Sequence, residues 1–219
     1  WQEAMHSFHR LQAGKEGVIP NLRTFNTMLG VVEKSTVWRQ ASAMLDMMLQ
    51  EAVQPDKVSF HTLISVFGKG YQPTKALEAL ETLRSWSKPG VPGYNAAIRA
   101  LSAASVYLPE IRLNSLAPWA EALKLTRKME EDSVQADLGT YNGLISVYGL
   151  SGKWTWALQV MENIKEALLV PDLITWSSLV DACGQTSHWE EASSLFTAMR
   201  HCRAQPNVVV SSAMIKVYE

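Results

Sequence analysis

Five histidines and two cysteines are the residues from which a metal site or a nucleophilic centre would have to be built. His6 and His9 stand three apart, a spacing that puts both on one helix face, but no third ligand lies near them and solvent-facing rings are expected. His61, His188 and His201 complete no His-Glu-x-x-His motif. Cys183 and Cys202 have no Cys-x-x-Cys partner, so neither a zinc site nor a disulfide framework is expected. Both thiols are expected free and mostly packed, as in a reducing compartment. The carboxylate pairs Glu130-Glu131 and Glu190-Glu191 could do acid–base work only if buried, and solvated helix faces are the simpler reading. Gly152-Lys153 runs into Trp154 and lacks the spacing of a phosphate-binding loop. No catalytic residue, no metal ligand and no cofactor is expected.

Composition narrows the remaining classes. Lys and Arg number 20 against 21 Asp and Glu across 219 residues, a formal charge of -1. No global basic field exists to hold nucleic acid, so any such binding needs a local surface. A hydrophobic share of 47% fits a folded chain. No apolar run is long enough for a membrane span, and no membrane insertion is expected. The chain opens at Trp1 inside a helical pattern, without a methionine, and neither end carries a polar capping helix. A longer parent chain is expected, with room for a targeting segment ahead of it.

Tryptophan supplies the ruler for an internal repeat. Trp119, Trp154 and Trp189 are spaced 35 and 35, and Trp1 and Trp38 stand 37 apart. An alanine follows each Trp by three: Ala4, Ala41, Ala122, Ala157 and Ala192, with Ala76 in the same place behind Pro73. Apolar residues follow at four and seven beyond the alanine, one face of a helix, with Thr126 the exception. Alanine at the head of that face suits a close approach of two helices. A second marker is Pro-Asn or Pro-Asp at 20–21, 55–56, 171–172 and 206–207, with Ala136-Asp137 and Pro89-Gly90 as variants. Proline stops one helix and the Asp or Asn behind it caps the next.

These markers delimit units 22–56, 57–90, 91–137, 138–172 and 173–207, with half-units at 1–21 and 208–219. Each is expected to be a helix, a turn and a second helix. None could bury its apolar faces alone, so an all-α, right-handed α-solenoid of stacked pairs is expected. The third unit carries about twelve extra residues, roughly 107–118, read as a tolerated loop or as a partner contact through Leu108, Ile111, Leu113 and Leu116. Pro118 opens the helix behind them.

A 35-residue helix pair that ends in Pro-Asp and reopens with Thr140-Tyr141-Asn142-Gly143-Leu144-Ile145 resembles the pentatricopeptide repeat family. The resemblance covers essentially the whole chain as a single array. It implies binding of single-stranded RNA in mitochondria or plastids, about one base per repeat. A side chain near the start of each first helix would meet the base, the last residue of the repeat would support it, and the second residue would pack on base planes.

Carried over by position, the resemblance pairs Asn26 with Asp56, Asn95 with Asp137 and Asn142 with Asp172, each implying a pyrimidine with uracil preferred. An amide suits uracil's mixed donor and acceptor edge. Ser177 with Asn207 resembles an adenine-reading pair, and His61 with Gly90 fits no assignable base. The implied reading, 5′ to 3′, is pyrimidine, any, pyrimidine, pyrimidine, adenine. Val58, Ile174 and Val209 would be apolar wedges between bases; Arg23, Pro92 and Gly139 depart from that type. Lys34 and Lys69 could meet phosphate, whereas Leu150 holds the matching place later. The Trp series, including Trp176, is expected to pack repeats rather than to stack bases. The expected function is sequence-selective RNA binding in organellar RNA processing, stability or translation. The alternative is a scaffold subunit of an organellar ribonucleoprotein such as a ribosome, held by protein contacts. An enzyme domain beyond Glu219 would be a third possibility for the parent chain, with this array as its targeting part.

Overall fold

The computed structural model describes residues 2–12, 20–35, 37–107, 117–186, 188–202 and 208–218. They form twelve helices: α1 Gln2–Gln12, α2 Leu22–Ser35, α3 Trp38–Gln50, α4 Lys57–Lys69, α5 Pro73–Trp86, α6 Val91–Tyr107, α7 Pro118–Glu131, α8 Leu138–Leu150, α9 Trp154–Glu166, α10 Leu173–Gly184, α11 Trp189–His201 and α12 Val208–Tyr218. No strand occurs among the described residues. The chain divides within α6 into two compact units, 1–103 and 104–219. The apolar residues Leu108, Ile111, Leu113 and Leu116 lie outside the described residues.

Short-range chemistry sets where the helices start and stop. Asp56, Asp137 and Asp172 are N-caps of α4, α8 and α10, each accepting from the backbone N–H three residues on. The residue at that third place is Ser59, Thr140 or Thr175, whose hydroxyl accepts in turn from the cap's own N–H at 3.2 Å. Each is a reciprocal capping box, of the kind that contributes about 1 kcal/mol to a helix. Pro73 and Pro118 open α5 and α7, where a missing N–H costs nothing.

Three of the second helices, α3, α7 and α9, run into the same left-handed turn. Ala52, Ser133 and Leu168 follow α3, α7 and α9 with φ of 54°, 57° and 56°. Behind them the N–H groups of Val53, Val134 and Leu169 donate to the carbonyls of Met48, Met129 and Ile164 at 2.8, 2.8 and 3.0 Å. This is a Schellman closure, made here without glycine. Proline two residues later, at Pro55 and Pro171, prevents the helix from continuing.

In unit 1–103, α2 packs on α3 and α4, and α4 on α5. In unit 104–219, α8 packs on α9 and α10, and α10 on α11 and α12. Ala41 and Ala76 in one unit, and Ala122, Ala157 and Ala192 in the other, are fully buried at the helix crossings. The apolar positions seven beyond them, Met48, Leu83, Met129, Ile164 and Met199, are buried too. Four beyond Ala122, Thr126 breaks the apolar pattern beside the hydroxyl of the buried Tyr148, so a polar pair stands where Leu45 and Phe67 supply carbon in the first unit. Adjacent first helices touch through small residues: a Cβ on Gly149 would lie 2.7 Å from Ala182 Cβ, and one on Gly68 3.2 Å from Ala100 Cβ.

Several tryptophans knit successive hairpins. Trp38 lies against Gly70, where a Cβ would come within 2.7 Å of the ring, and Lys75 Nζ sits 4.4 Å over its centroid. Trp154 stacks on His188 at 4.1 Å, and Lys153 covers Trp119 at 5.2 Å. Trp176 is buried. Cys183 is buried, and burial pushes its thiol up to about 11 with Glu191 adding to the rise. Cys202 corrects the expectation of two packed thiols, because it is exposed at the end of α11. No helix among the described residues is long and apolar enough to cross a membrane.

Candidate nucleic-acid interface

The same polar arrangement occurs within each of the two units. Asn26 is the fifth residue of α2, and its Nδ2 donates to Asp56 Oδ1 at 3.1 Å. Asn142 is the fifth residue of α8, and its Nδ2 donates to Asp172 Oδ1 at 3.2 Å. The carboxylate is in each case the N-cap of the next first helix, so capping and amide orientation use the same oxygen. The amide oxygen faces a hydroxyl: Ser59 Oγ lies 2.6 Å from Asn26 Oδ1, and Thr175 Oγ1 lies 2.7 Å from Asn142 Oδ1.

The charge on the Asp decides which way the amide points. A carboxylate only accepts, so the NH2 end must face it. Burial pushes the Asp56 carboxyl up, but the Ser59 N–H, the Asn26 amide and the Ser59 hydroxyl outweigh that and hold it below its ordinary value. Asp172 is held below its ordinary value in the same way, by Thr175 and Asn142 against the opposing burial. Each Asn then keeps one N–H and one oxygen lone pair for a ligand. A donor beside an acceptor matches a pyrimidine edge that presents the opposite pair.

The places held by His61 and Ser177 differ from this pattern. His61 stands at the fifth residue of α4, but its partner place is Gly90 and the third residue behind that is Gly93. Neither can supply a carboxylate or a hydroxyl. The imidazole fills the space instead: a Cβ on Gly93 would lie 3.1 Å from His61 Nε2, and that nitrogen is buried with no hydrogen-bond partner. Burial lowers the His61 pKa, Lys57 adds to the fall, and Asp56 only partly opposes it. Asn95 is 9% exposed and belongs to the first unit, while Asp137 caps α8 in the second. Ser177 Oγ donates to the Ile174 carbonyl at 3.1 Å, and its expected partner Asn207 lies outside the described residues.

Val58 and Ile174 sit in the first turns of α4 and α10, 57% and 60% exposed. Val209 lies in α12, with its side chain outside the described residues. Lys69 is not a free cation: it pairs with Glu33 at 3.0 Å, and Ser65 donates to the same carboxylate oxygen at 2.7 Å. Lys34 is exposed. No group of three His, Cys, Asp or Glu that could hold a metal occurs among the described residues. Ser59 and Thr175 are the members of the arrangement that base-reading positions alone did not single out. Their signal in the sequence is Asp-x-x-Ser and Asp-x-x-Thr at 56–59 and 172–175.

The pentatricopeptide repeat domain model matches residues 15–70 and 124–186, and the single-repeat model matches residues 174–203. The chain belongs to the pentatricopeptide repeat family. Its architecture is accordingly the all-α solenoid of stacked helix-turn-helix pairs. A pentatricopeptide repeat-containing protein of Arabidopsis thaliana is 27% identical over 154 residues, 69% of this chain and 32% of that protein. The crystal structure of the pentatricopeptide repeat protein PPR10 from maize matches with a TM-score of 0.72 and 27% identity, over 99% of this chain and 29% of that one. The pentatricopeptide repeat domain of Arabidopsis thaliana protein-only RNase P 1, solved in complex with tRNA, matches with a TM-score of 0.70 over 90% of this chain and 98% of that one. At 13% identity that likeness is one of fold. The chain thus spans about a third of the length of the curated relative it matches.

Proposed function

We propose that this chain is a segment of a pentatricopeptide repeat array that binds single-stranded RNA with base selection. It would act in RNA processing, stability or translation in a mitochondrion or plastid, the compartments the family resemblance implies. The observation that carries this reading is the Asn–Asp–hydroxyl arrangement, repeated with the same bonds in both units. Its free edge is a donor beside an acceptor, at the same helix position, the fifth residue, in α2 and in α8. Solution of PPR10 with an 18-nt psaJ RNA element, a structure of the same fold, is consistent with it. In the proposed register of 22–56, 57–90, 91–137, 138–172 and 173–207, the preferred sequence is pyrimidine, any, pyrimidine, pyrimidine, adenine. Binding would act by shielding RNA or remodelling it, and no bond chemistry is assigned to this segment.

Fluorescence anisotropy with a labelled U-N-U-U-A strand tests the reading, against its scrambled and complementary versions across a salt series. Selective binding that weakens with salt is expected, since phosphate contacts release counterions. Equal binding of all three strands, or none at low salt by a folded helical protein, overturns it. A scaffold role would then take its place, and one observation favours it. A groove of about 850 Å³ runs between α3 and α5, with Leu49 and Trp86 more than half exposed along it.

A further inference from the structure

We infer that the hydroxyl on the third residue of the next first helix, Ser59 of α4 for Asn26 and Thr175 of α10 for Asn142, is a positioning residue for base selection. Each uracil-selecting place is then a set of three side chains drawn from two successive hairpins. The inference rests on the RNA reading above and adds a residue to it.

Proton accounting comes first. Each hydroxyl carries one hydrogen and has two acceptors in reach: the amide oxygen at 2.6 or 2.7 Å, and the Asp Oδ1 at 2.9 Å in both sites. That Oδ1 already receives a backbone N–H and the Asn Nδ2. A hydroxyl hydrogen turned to the carboxylate would leave two oxygens facing each other at the shortest distance in the cluster. The hydroxyl therefore donates its hydrogen to the amide oxygen, while one of its own lone pairs accepts from the Asp backbone N–H at 3.2 Å. The terminal torsion of Asn is broad and soft. Gripped at nitrogen alone, the amide swings about that bond; gripped at both ends, its plane is fixed. A base edge needs donor and acceptor in one plane, so the second grip governs discrimination.

The sequence supplies an independent observation. Going along the five complete repeats, the third residue behind the supporting position is Ser59, Gly93, Thr140, Thr175 and Val210, while in the leading half-unit Asn21 is followed by Thr24. A hydroxyl stands there in each of the three repeats with an Asn–Asp pair, and in neither of the two with another pair. Helix capping explains the bonds between Asp and hydroxyl, but not a bond to an amide 33 residues back on the preceding first helix.

Thr175→Val keeps the side chain's shape and removes the hydroxyl; Thr175→Ser restores it. Anisotropy of the whole chain is measured with strands carrying U or C at the nucleotide facing Asn142, and separately at the nucleotide facing Asn26. Thr175→Val is expected to lose the preference for U over C opposite Asn142 and to keep it opposite Asn26, while Thr175→Ser keeps both. Ser59→Ala is expected to give the reciprocal pattern, which covers the case of Thr175→Val failing to fold. Thr175→Val and Ser59→Ala weakening U and C strands alike, with preference retained, would overturn the inference and leave the RNA reading standing. No preference at either nucleotide in the unsubstituted chain would overturn both.

Discussion

Asp172 caps α10 and holds Asn142 of α8 with the same carboxylate oxygen, 2.8 Å from the Thr175 N–H and 3.2 Å from the Asn142 amide. Asp56 does the same for α4 and Asn26. A bond that every capped helix start needs has been extended by one more donor. Orientation of the proposed base-selecting amide therefore costs the fold no additional buried charge.

Acid should expose this arrangement. The folded-state pKa of Asp172 lies below its ordinary value of 3.8, so the unfolded chain takes up the proton first as pH falls. The stabilising contribution is complete above that ordinary value and disappears as pH drops through the lower folded value. Asp172→Asn, which can still cap a helix, is expected to lose less melting temperature than the unsubstituted chain between about pH 5 and about pH 3. Parallel melting curves across that range would contradict the account.

Base preference should be exchangeable one nucleotide at a time. Asn142→Ser together with Asp172→Asn is expected to move the fourth nucleotide's preference from uracil to adenine by about 1 kcal/mol, roughly fivefold. Binding to strands altered at other nucleotides should stay as it was. A shift spread over all positions, or none anywhere, would rule out independent repeats.

Close packing of first helices gives a stability test with opposing terms. Alanine gains about 1 kcal/mol over glycine in a helix interior. On Gly149 its Cβ would lie 2.7 Å from Ala182 Cβ and 3.1 Å from Ala182 Cα, an overpacking that costs about 1–3 kcal/mol. Gly68→Ala meets Ala100 Cβ at the milder 3.2 Å. Urea unfolding should show Gly149→Ala clearly destabilised and Gly68→Ala close to neutral. Equal midpoints for the two would mean the helix spacing adjusts freely.

Leu168 holds φ at +56° while 90% exposed, so its side chain gains little from its place. Asparagine tolerates this left-handed geometry better. Leu168→Asn should raise stability by up to about 1 kcal/mol, read as a higher melting temperature. An unchanged or lower value would place the strain elsewhere.

Much of the fold was legible because its signals are local. Asp56, Asp137 and Asp172 announce helix starts, and Ala41, Ala122, Ala157 and Ala192, each three behind a Trp, mark buried positions. The left-handed closures were not legible, since Ala52, Ser133 and Leu168 are not the glycines that usually announce one. At the candidate interface, Asn26 and Asn142 could be placed from the repeat, and their Asp partners with them. The hydroxyls of Ser59 and Thr175 were hidden in plain capping boxes, whose ordinary duty accounts for them until the neighbouring helix is in view. Lys69 looked available for phosphate because its partner Glu33 lies 36 residues away, on another helix. His61 drew attention as a departure, but only its packing against Gly93 gives the cause.

The joint between hairpins bears on how such chains can be recombined. Asn26 sits in one hairpin, while Asp56 at its edge and Ser59 just beyond tie it to the next. A chimaera spliced at the hairpin boundary would give the transplanted Asn whatever third residue the acceptor happens to carry. The portable cassette is therefore the staggered stretch from Asn26 through Ser59, and crossovers belong inside the first helices, downstream of that hydroxyl and upstream of the next selecting residue at 61.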